Sequence, residues 1–317
     1  MPDYTSLNGV ENSQKSTLSN ILLNNFTSFY DWGFLDKGGY YNVKLNNLDI
    51  YNANKSVLKP IKIDGRANGS VWQTYRKNLV WESGVSKGAP INISGVYVNN
   101  TFHSTGNITR PFNIDYRNGT VNFASGIPLN SVVKMEYSHK YIDVVEADGV
   151  PFFREIQKDS FRADSPQFSL HGSGTWANIG QTRVQMPTVA INVSCPVDFA
   201  PFELGSHKQY VDNEVTFYVL TEKSWECKNI MDQISFQNDR NIYLYDTNKI
   251  AQSGAFPFDS NNYLAPNATS NSLYPHLVDN YRYGHCYIKE SKCRPIVELN
   301  QGLYIGTVKC RTEVIEI

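Results

Sequence analysis

Residues 112–145, FNIDYRNGTVNFASGIPLNSVVKMEYSHKYIDVV, alternate apolar and polar side chains, with breaks only at Arg117-Asn118-Gly119 and around Gly126-Ile127-Pro128. Successive side chains of a strand point to opposite faces, so a period of two over this length restricts the segment to short antiparallel strands joined by turns. The expected elements are Phe112 to Tyr116, a turn through Arg117-Asn118-Gly119, Thr120 to Phe123, a loop holding Pro128, Val132 to Tyr137, and Tyr141 to Val145. Asn118-Gly119 is read as supplying the positive φ angles of a tight turn. Ile114, Tyr116, Val121, Phe123, Val133, Met135 and Tyr137 form the apolar face, and Asp115, Arg117, Asn122, Lys134 and Glu136 lie opposite.

The flanking sequence extends this pattern in one direction and breaks it in the other. Residues 1–15 are polar and patternless and read as an arm. From Ser16 or Thr17 as cap, Leu18, Ile21, Leu22, Phe26, Phe29 and Tyr30 follow the spacing of a one-sided helical stripe that ends at Gly38-Gly39. Beyond Gly39, YYNVKL, LDIYN, VLKPIKIDG, LVWES and ISGVYV are short β-branched or aromatic runs between turn residues. Residues 147–182 have no period, and 251–284 form a long loop with irregular aromatics. TVAINVSC, EVTFYVLTE and RNIYLYD read as strands, and KSWECKNIMDQISFQ as a helix through Trp225, Ile230, Met231 and Ile234. Two closing strands meet at Asn300-Gln301-Gly302. The expectation is a mainly β chain with an α+β C-terminal domain. It has an arm and amphipathic helix over 1–38, an antiparallel sandwich-like or barrel-like domain over 39–146, and an irregular linker or excursion over 147–182. An α+β domain with one main helix follows over 183–317, with its long loop at 251–284.

Composition narrows the function classes. The 317 residues carry a net charge of −1 with no run of Lys or Arg, so a phosphate-neutralising face is not expected. Charged residues are 19% and aromatics 13%, with 20 tyrosines, a surface chemistry suited to protein contacts because Tyr offers rigid area without the desolvation cost of a charge. No apolar stretch is long enough to span a membrane and the N-terminus lacks a signal pattern, which predicts a soluble chain made in the cytoplasm. Five scattered cysteines predict free thiols.

Catalytic patterns are missing from the sequence. Ser173 in LHGSGTW has His171 where a nucleophile elbow needs Gly, no phosphate-binding glycine loop is present, and the histidines include no pair at i, i+4. No cofactor is predicted. The weak metal candidates are His285, Cys286, Cys293 and Cys310, which lack a C-x-x-C pair. Asp115 and Glu136 could form a hydrolase pair, but on adjacent strands they read as solubilising groups.

The residues Ile114, Asp115, Tyr116, Asn118, Gly119, Val121, Phe123, Pro128, Val133, Tyr137 and Ser138 resemble a strand-turn-strand module of virion structural proteins of tailed bacteriophages, found in neck, tail and baseplate components. The likeness spans about 50 residues. SNILLNNFTSFYDWGFLDKGGYYNV is similar to the helix-then-strand opening of such proteins, and the strand, helix, strand order at 214–246 to small α+β folds that cap phage tails at the head-tail junction. The resemblance implies a non-enzymatic virion component, a ring-forming neck, head-to-tail connector or tail-terminator protein. Its partners would be copies of itself and connector, tail, sheath or tube proteins, with no specific nucleic acid and no membrane. Interface candidates are Leu18, Ile21, Leu22, Phe26, Phe29 and Tyr30 on the helix and Tyr263, Tyr274 and Tyr281 in or near the long loop. The alternatives are a baseplate, fibre-attachment or capsid-decoration protein, and a carbohydrate-binding module in which Trp72, Trp81, Trp176 or Tyr281 stacks on sugar.

Overall fold

The computed structural model describes residues 17–46, 48, 54–148, 168–171, 176–179, 182–194, 198–201, 209–265, 268, 272–300 and 302–316. The expected arm over 1–15 and Cys195 lie outside them. The chain forms two compact units, one of Gly33–Tyr141 with Ala255–Leu273, the other of Met1–Trp32, Ile142–Gly254 and Tyr274–Ile317. It is mainly β, with an N-terminal helix, several antiparallel sheets and a C-terminal α+β region. The middle of the expected loop 251–284 therefore groups with the β unit. A helix end and a second short helix interrupt that loop, at Thr247–Ser253 and Tyr274–Asn280.

Helix α1, Leu18–Asp36, is followed in the β unit by β1 Tyr40–Val43, β2 Lys59–Ile61, β3 Val71–Gln73, β4 Gly95–Val98, β5 Thr101–Ser104, β6 Phe112–Asp115, β7 Thr120–Phe123, β8 Val133–Lys134 and β9 Tyr137–Lys140. They form a four-stranded sheet β2-β3-β7-β6, a three-stranded sheet β5-β4-β8 and the pair β1-β9. One apolar cluster fills the space they enclose, including Trp72, Val96, Ile114, Val121, Met135 and Tyr137, with Trp81, Phe258 and Leu264 packed on its margin. Every residue of the expected apolar face is buried. The opposite face departs from expectation in that Asp115 and Asn122 are buried too, Asp115 bonded into its own hairpin turn and Asn122 standing between Val71 and Asn113 in its cross-strand row.

The hairpin β6–β7 pairs Phe112 with Phe123 and Asp115 with Thr120. Asp115 closes its turn, since Oδ1 accepts the Asn118 N–H and Oδ2 accepts the Asn118 side-chain amide, each at 2.8 Å. Gly119 alone takes positive φ, +63°, while Asn118 does not, so the turn is held by an aspartate lock in place of two left-handed residues. The left-handed pair falls instead at Asn99-Asn100, φ 49° and 68°, which joins β4 to β5. A Cβ on Gly119 would come within 2.5 Å of the Arg76 carbonyl and the Thr74 hydroxyl.

The second unit is built on β10 Asp143–Glu146, β11 Phe168–His171, β12 Trp176–Ile179, β13 Thr182–Gln185, β14 Thr188–Val193, β15 Asp198–Pro201, β16 Gln209–Thr221, helix α2 Ser224–Ser235, β17 Asn241–Tyr245, helices α3 Thr247–Ser253 and α4 Tyr274–Asn280, β18 Arg282–Asn300 and β19 Leu303–Glu316. The main sheet runs β10-β14-β16-β19-β18-β17, with β15 also on β16. β10 pairs parallel with β14, so residues 143–146, expected at the end of the β domain, belong to this unit. β11 and β12, inside the span 147–182 that was expected to be irregular, form a small antiparallel sheet with β13, which begins at the last residue of that span.

Alternation gives the main sheet two unlike faces. On one, Val215, Phe217, Val219, Val308, Cys310 and Val314 are buried. α1 covers this face through Phe26 and Tyr30, whose rings meet Phe217 at 6.1 and 4.9 Å. α2 covers it through Cys227, Ile230, Met231 and Ile234. Trp225, expected in that stripe, is 59% exposed, and Cys227 takes its place. α2 sits close because β19 carries Gly306 beneath it, where a Cβ would strike Met231 Sδ and Cys227 Sγ. The other face is a ladder of charges: Lys289 bridges Asp212 at 3.1 Å and Glu313 at 3.2 Å, and Arg311 meets Asp212 at 2.8 Å.

Two buried polar devices were not legible in the sequence. Asn25, fully buried on α1, donates to the Tyr245 carbonyl at 2.9 Å and accepts the Tyr245 N–H at 2.8 Å, joining the helix to the end of β17. In the β unit Lys140 Nζ lies 2.6 Å from Glu82 Oε1, both side chains 6% exposed. Removing one partner of such a pair costs about 3–5 kcal/mol by stranding the other charge.

Two expectations follow. Gly119→Val forces a β-branched residue into positive φ and against backbone, and should lower stability by about 2 kcal/mol or more in a denaturant titration; an unchanged midpoint would show that the turn tolerates a side chain. His139, buried beside Lys140, has its pKa lowered to about 3, first by burial and then by Arg76. The folded imidazole stays neutral while the unfolded one takes up a proton near 6.5, so this stability is full above pH 6.5 and drains as pH falls toward 3. His139→Gln should remove up to about 1.4 kcal/mol per pH unit from the slope of unfolding free energy between pH 6 and 4, as measured by urea titrations across that range.

Candidate functional site

The outward side of the sheet β2-β3-β7-β6 carries a hollow of about 250 Å³ lined by polar and apolar side chains. Two cross-strand rows make its floor. Lys59, Gln73, Thr120 and Asp115 stand opposite one another in one, and Ile61, Val71, Asn122 and Asn113 in the other. Ile61, Gln73, Thr120, Asn122 and Asp115 line the hollow, with Ile63, Arg66, Lys77 and Asn118 around them. The strand pairings place these groups: because Trp72 and Val121 point into the core, their neighbours must point out. Asp115, whose oxygens hold the turn, fixes Asn118 at the rim. Thr120 and Asn122 are 5% and 8% exposed, and the polar atoms of their side chains reach the surface of the hollow.

A second surface runs along the sheet β5-β4-β8. Phe102 on β5, Val132 just ahead of β8 and Leu129 in the preceding loop are large, apolar and exposed. Ile108 is 94% exposed, and stands on a turn in which Asn107 Oδ1 accepts the N–H groups of Thr109 and Arg110. Val132 is similarly fixed, its N–H donating to Asn99 Oδ1 at 2.9 Å. Phe102 lies 5.0 Å from the Tyr97 ring. These residues stand on short paired strands and closed turns, and no stripe in the sequence announced them, because two lie in loops.

The sequence-expected interface residues divide. Ile21, Leu22, Phe26 and Tyr30 are buried by their own unit and are core residues. Leu18 and Phe29 are half-buried, and Phe29 meets Tyr30 at 5.2 Å and Tyr274 at 5.9 Å. Tyr274 reaches the Tyr243 carbonyl with its hydroxyl, and burial pushes its pKa up. Tyr281 is half-buried where α4 meets β18, and Tyr263, in the β unit, closes a turn on Asp259. Of the stacking candidates, Trp72 is core and Trp81 packs edge-on to Phe258 at 5.4 Å; the side chain of Trp176 lies outside the description. Asp115 and Glu136 both serve backbone, Glu136 accepting the Leu45 N–H at 3.2 Å.

The metal candidates do not converge. Cys286 faces Val314 across the ladder, Cys310 faces Ser291, Cys293 faces Val308, and His285 points to the other side of the sheet from Cys286. Among the described residues no three His, Cys, Asp or Glu side chains are grouped to hold a metal. Burial pushes the thiols of Cys286 to about 12 and of Cys310 and Cys227 to about 11. Cys293 is exposed, 2.9 Å from the Ser235 hydroxyl. Among the described residues no helix is long and apolar enough to cross a membrane.

Comparison with protein-family models, with curated proteins and with solved structures returned no match.

Of the four described cysteines, Cys293 should react with a maleimide in the native protein within minutes, and Cys227, Cys286 and Cys310 only after unfolding. Peptide mapping by mass spectrometry checks this; native labelling of Cys286 or Cys310 would mean that the helix-covered face opens.

Proposed function

We propose that the chain is a non-enzymatic structural component of a tailed-phage virion, a ring-forming neck, head-to-tail connector or tail-terminator subunit. The observation that carries this reading is the set of exposed apolar side chains on the β5-β4-β8 sheet and in its adjoining loops, above all Ile108. Large apolar groups held rigidly in water have a standing cost that a neighbouring subunit removes, about 1.5–3 kcal/mol for each side chain fully covered. Rigid presentation matters as much as area, because little conformational entropy is then lost on docking.

The residues behind the phage-like resemblance support the same reading. Asp115, Asn118 and Gly119 lock a turn, and Ile114, Tyr116, Val121, Phe123, Val133 and Tyr137 fill a core. Ser138 donates to Asn42 Oδ1 at 2.6 Å and accepts the Ile91 N–H. All are spent on rigidity. The long edge of β18 beyond Ile288 has no strand partner among the described residues, and carries Glu290, Lys292, Arg294, Pro295 and three register shifts. Such features discourage indiscriminate strand pairing, as a subunit stored at high concentration before assembly requires.

Replacing Ile108 and Phe102 together by Asp should leave the melting temperature within about 2 °C of the parent, since both are solvent-exposed, while lowering incorporation into particles or rings at least tenfold. Native mass spectrometry and electron microscopy of particles measure it. Full incorporation of the double variant, or a parent chain that stays solitary with every virion partner present, would overturn the reading.

A further inference from the structure

The two units carry opposite charge. Residues 33–141 with 255–273 hold 13 Lys and Arg against 7 Asp and Glu, net +6, and the remaining residues hold 16 against 23, net −7. A chain near neutrality as a whole is thus sharply divided in its charge, and such a division steers unlike surfaces together. Each unit also leaves large apolar side chains in water. Phe102, Ile108, Leu129 and Val132 are exposed on the cationic unit, and Trp225 and Phe236 on the acidic one.

On the cationic unit the face in question is the outer side of β5-β4-β8. Val96, Val98 and Val133 point into the core, so Phe102, Tyr97 and Lys134 form one cross-strand row on the outside. The Phe102 ring rests on the Gly95 backbone, where an added Cβ would meet two of its carbons at 2.6 and 2.7 Å, and is held in place by that contact. Between Glu82 and Glu136 the one carboxylate is Asp115, bonded into the Asn118 turn, against Lys87, Arg110, Arg117 and Lys134. Arg110 follows Ile108 on its turn, and neither Arg110 nor Lys134 forms an ion pair with a described residue.

On the acidic unit the matching face is the solvent side of α2. Trp225, Asn229, Asp232 and Phe236 recur at i, i+4, i+7 and i+11, opposite the buried stripe of Cys227, Ile230, Met231 and Ile234, and all four are exposed. The two aromatics stand about 16 Å apart along the helix. Between them lies Asp232, whose carboxylate makes no ion pair with a described residue. Of the cations nearby, Lys223 lies over the Trp225 ring, Arg240 donates to Gln237 Oε1 at 2.6 Å, and Lys228, one turn before Asp232, does not bridge to it.

We infer that the occupant of the β5-β4-β8 face is the α2 face of a second copy, a head-to-tail contact that joins the cationic unit of one copy to the acidic unit of the next. The inference rests on the ring reading proposed above and names its partner surface. A two-fold contact of the β face with itself would bring two cationic surfaces together, whereas the head-to-tail contact sets Lys134 and Arg110 in the field of the acidic unit and of Asp232. It also leaves every copy with one face of each kind still to fill, as a closed ring requires. A nucleic acid would engage the cations and leave Phe102, Ile108 and Leu129 in water, so a protein surface fits the patch better.

Complementation between two one-sided variants of the full chain tests it, read by sedimentation and native mass spectrometry. Ile108→Asp with Phe102→Asp removes the first face, and Trp225→Ser with Phe236→Ser the second; Phe236→Ser alone replaces that pair should it fail to fold. Each variant should self-associate at least tenfold more weakly than the parent, and an equimolar mixture should form a one-to-one dimer and nothing larger, because one intact face of each kind is left. Lys134→Asp and Asp232→Lys should each weaken association about fivefold, and together in one chain should return it to within about twofold of the parent. Raising NaCl from about 20 to about 500 mM should weaken the parent contact. Undiminished self-association of the Trp225 and Phe236 variant, a mixture without dimers, a charge swap without recovery, or a parent still monomeric at about 100 µM in low salt would each overturn the contact. So would a parent that binds a short DNA duplex in place of its own copy. Normal entry of the Trp225 and Phe236 variant into particles that exclude the Ile108 and Phe102 variant would sink this contact and leave the virion reading standing, and full entry of both would sink the two together.

Discussion

The antiparallel ladder between β16 and β19 organises the C-terminal unit, running unbroken from Tyr210 opposite Ile315 to Thr221 opposite Tyr304. With no bulge between them, the two strands keep one alternation throughout, and every second residue must therefore satisfy the same environment. Val215, Phe217, Val219, Val308 and Cys310 fall on one side and attract α1 and α2. Asp212, Glu214, Lys309, Arg311 and Glu313 fall on the other and pair across strands. A slip of one residue would exchange the two sets, stranding charges under helices, so the hydrophobic effect and the ion pairs enforce one register between them. The exposed pairs themselves add little free energy; their contribution is to make the wrong register costly.

Where a polar group is buried, it does what an apolar one could not. Asn25 reproduces a strand's hydrogen-bonding edge from a helix, capturing both backbone groups of Tyr245. Asp115 uses both oxygens on one asparagine and closes a turn that the backbone alone would leave loose. Glu82 and Lys140 neutralise each other beside an imidazole kept uncharged. Asn25 and the Glu82–Lys140 pair tie segments distant in sequence to one geometry, and Asp115 does the same for a local turn, the specificity that buried polar groups supply at little net gain in stability.

Function on this frame is a matter of surfaces. The exposed apolar side chains Phe102 and Val132 and the hollow lie on different sheets of the β unit.

The period-two pattern over 112–137 was sufficient by itself to set the β6–β7 hairpin and its apolar face, since alternation and burial are the same statement for a sheet with one covered side. The spacing of Ile230, Met231 and Ile234 likewise announced α2, and the stripe from Ile21 to Tyr30 announced α1, although not that its own sheet would cover it. What alternation could not show is which strands become neighbours. β10 left its sequence companions to lie parallel to β14, Asn122 was set between Val71 and Asn113 of two other strands, and the metal candidates were dispersed by the register of β18 on β19. The hollow and the apolar row arise only when residues as far apart as Ile61 and Asn122 are brought to one face. Local propensity acts along the chain, whereas a site is defined across it, and only tertiary packing decides that second dimension.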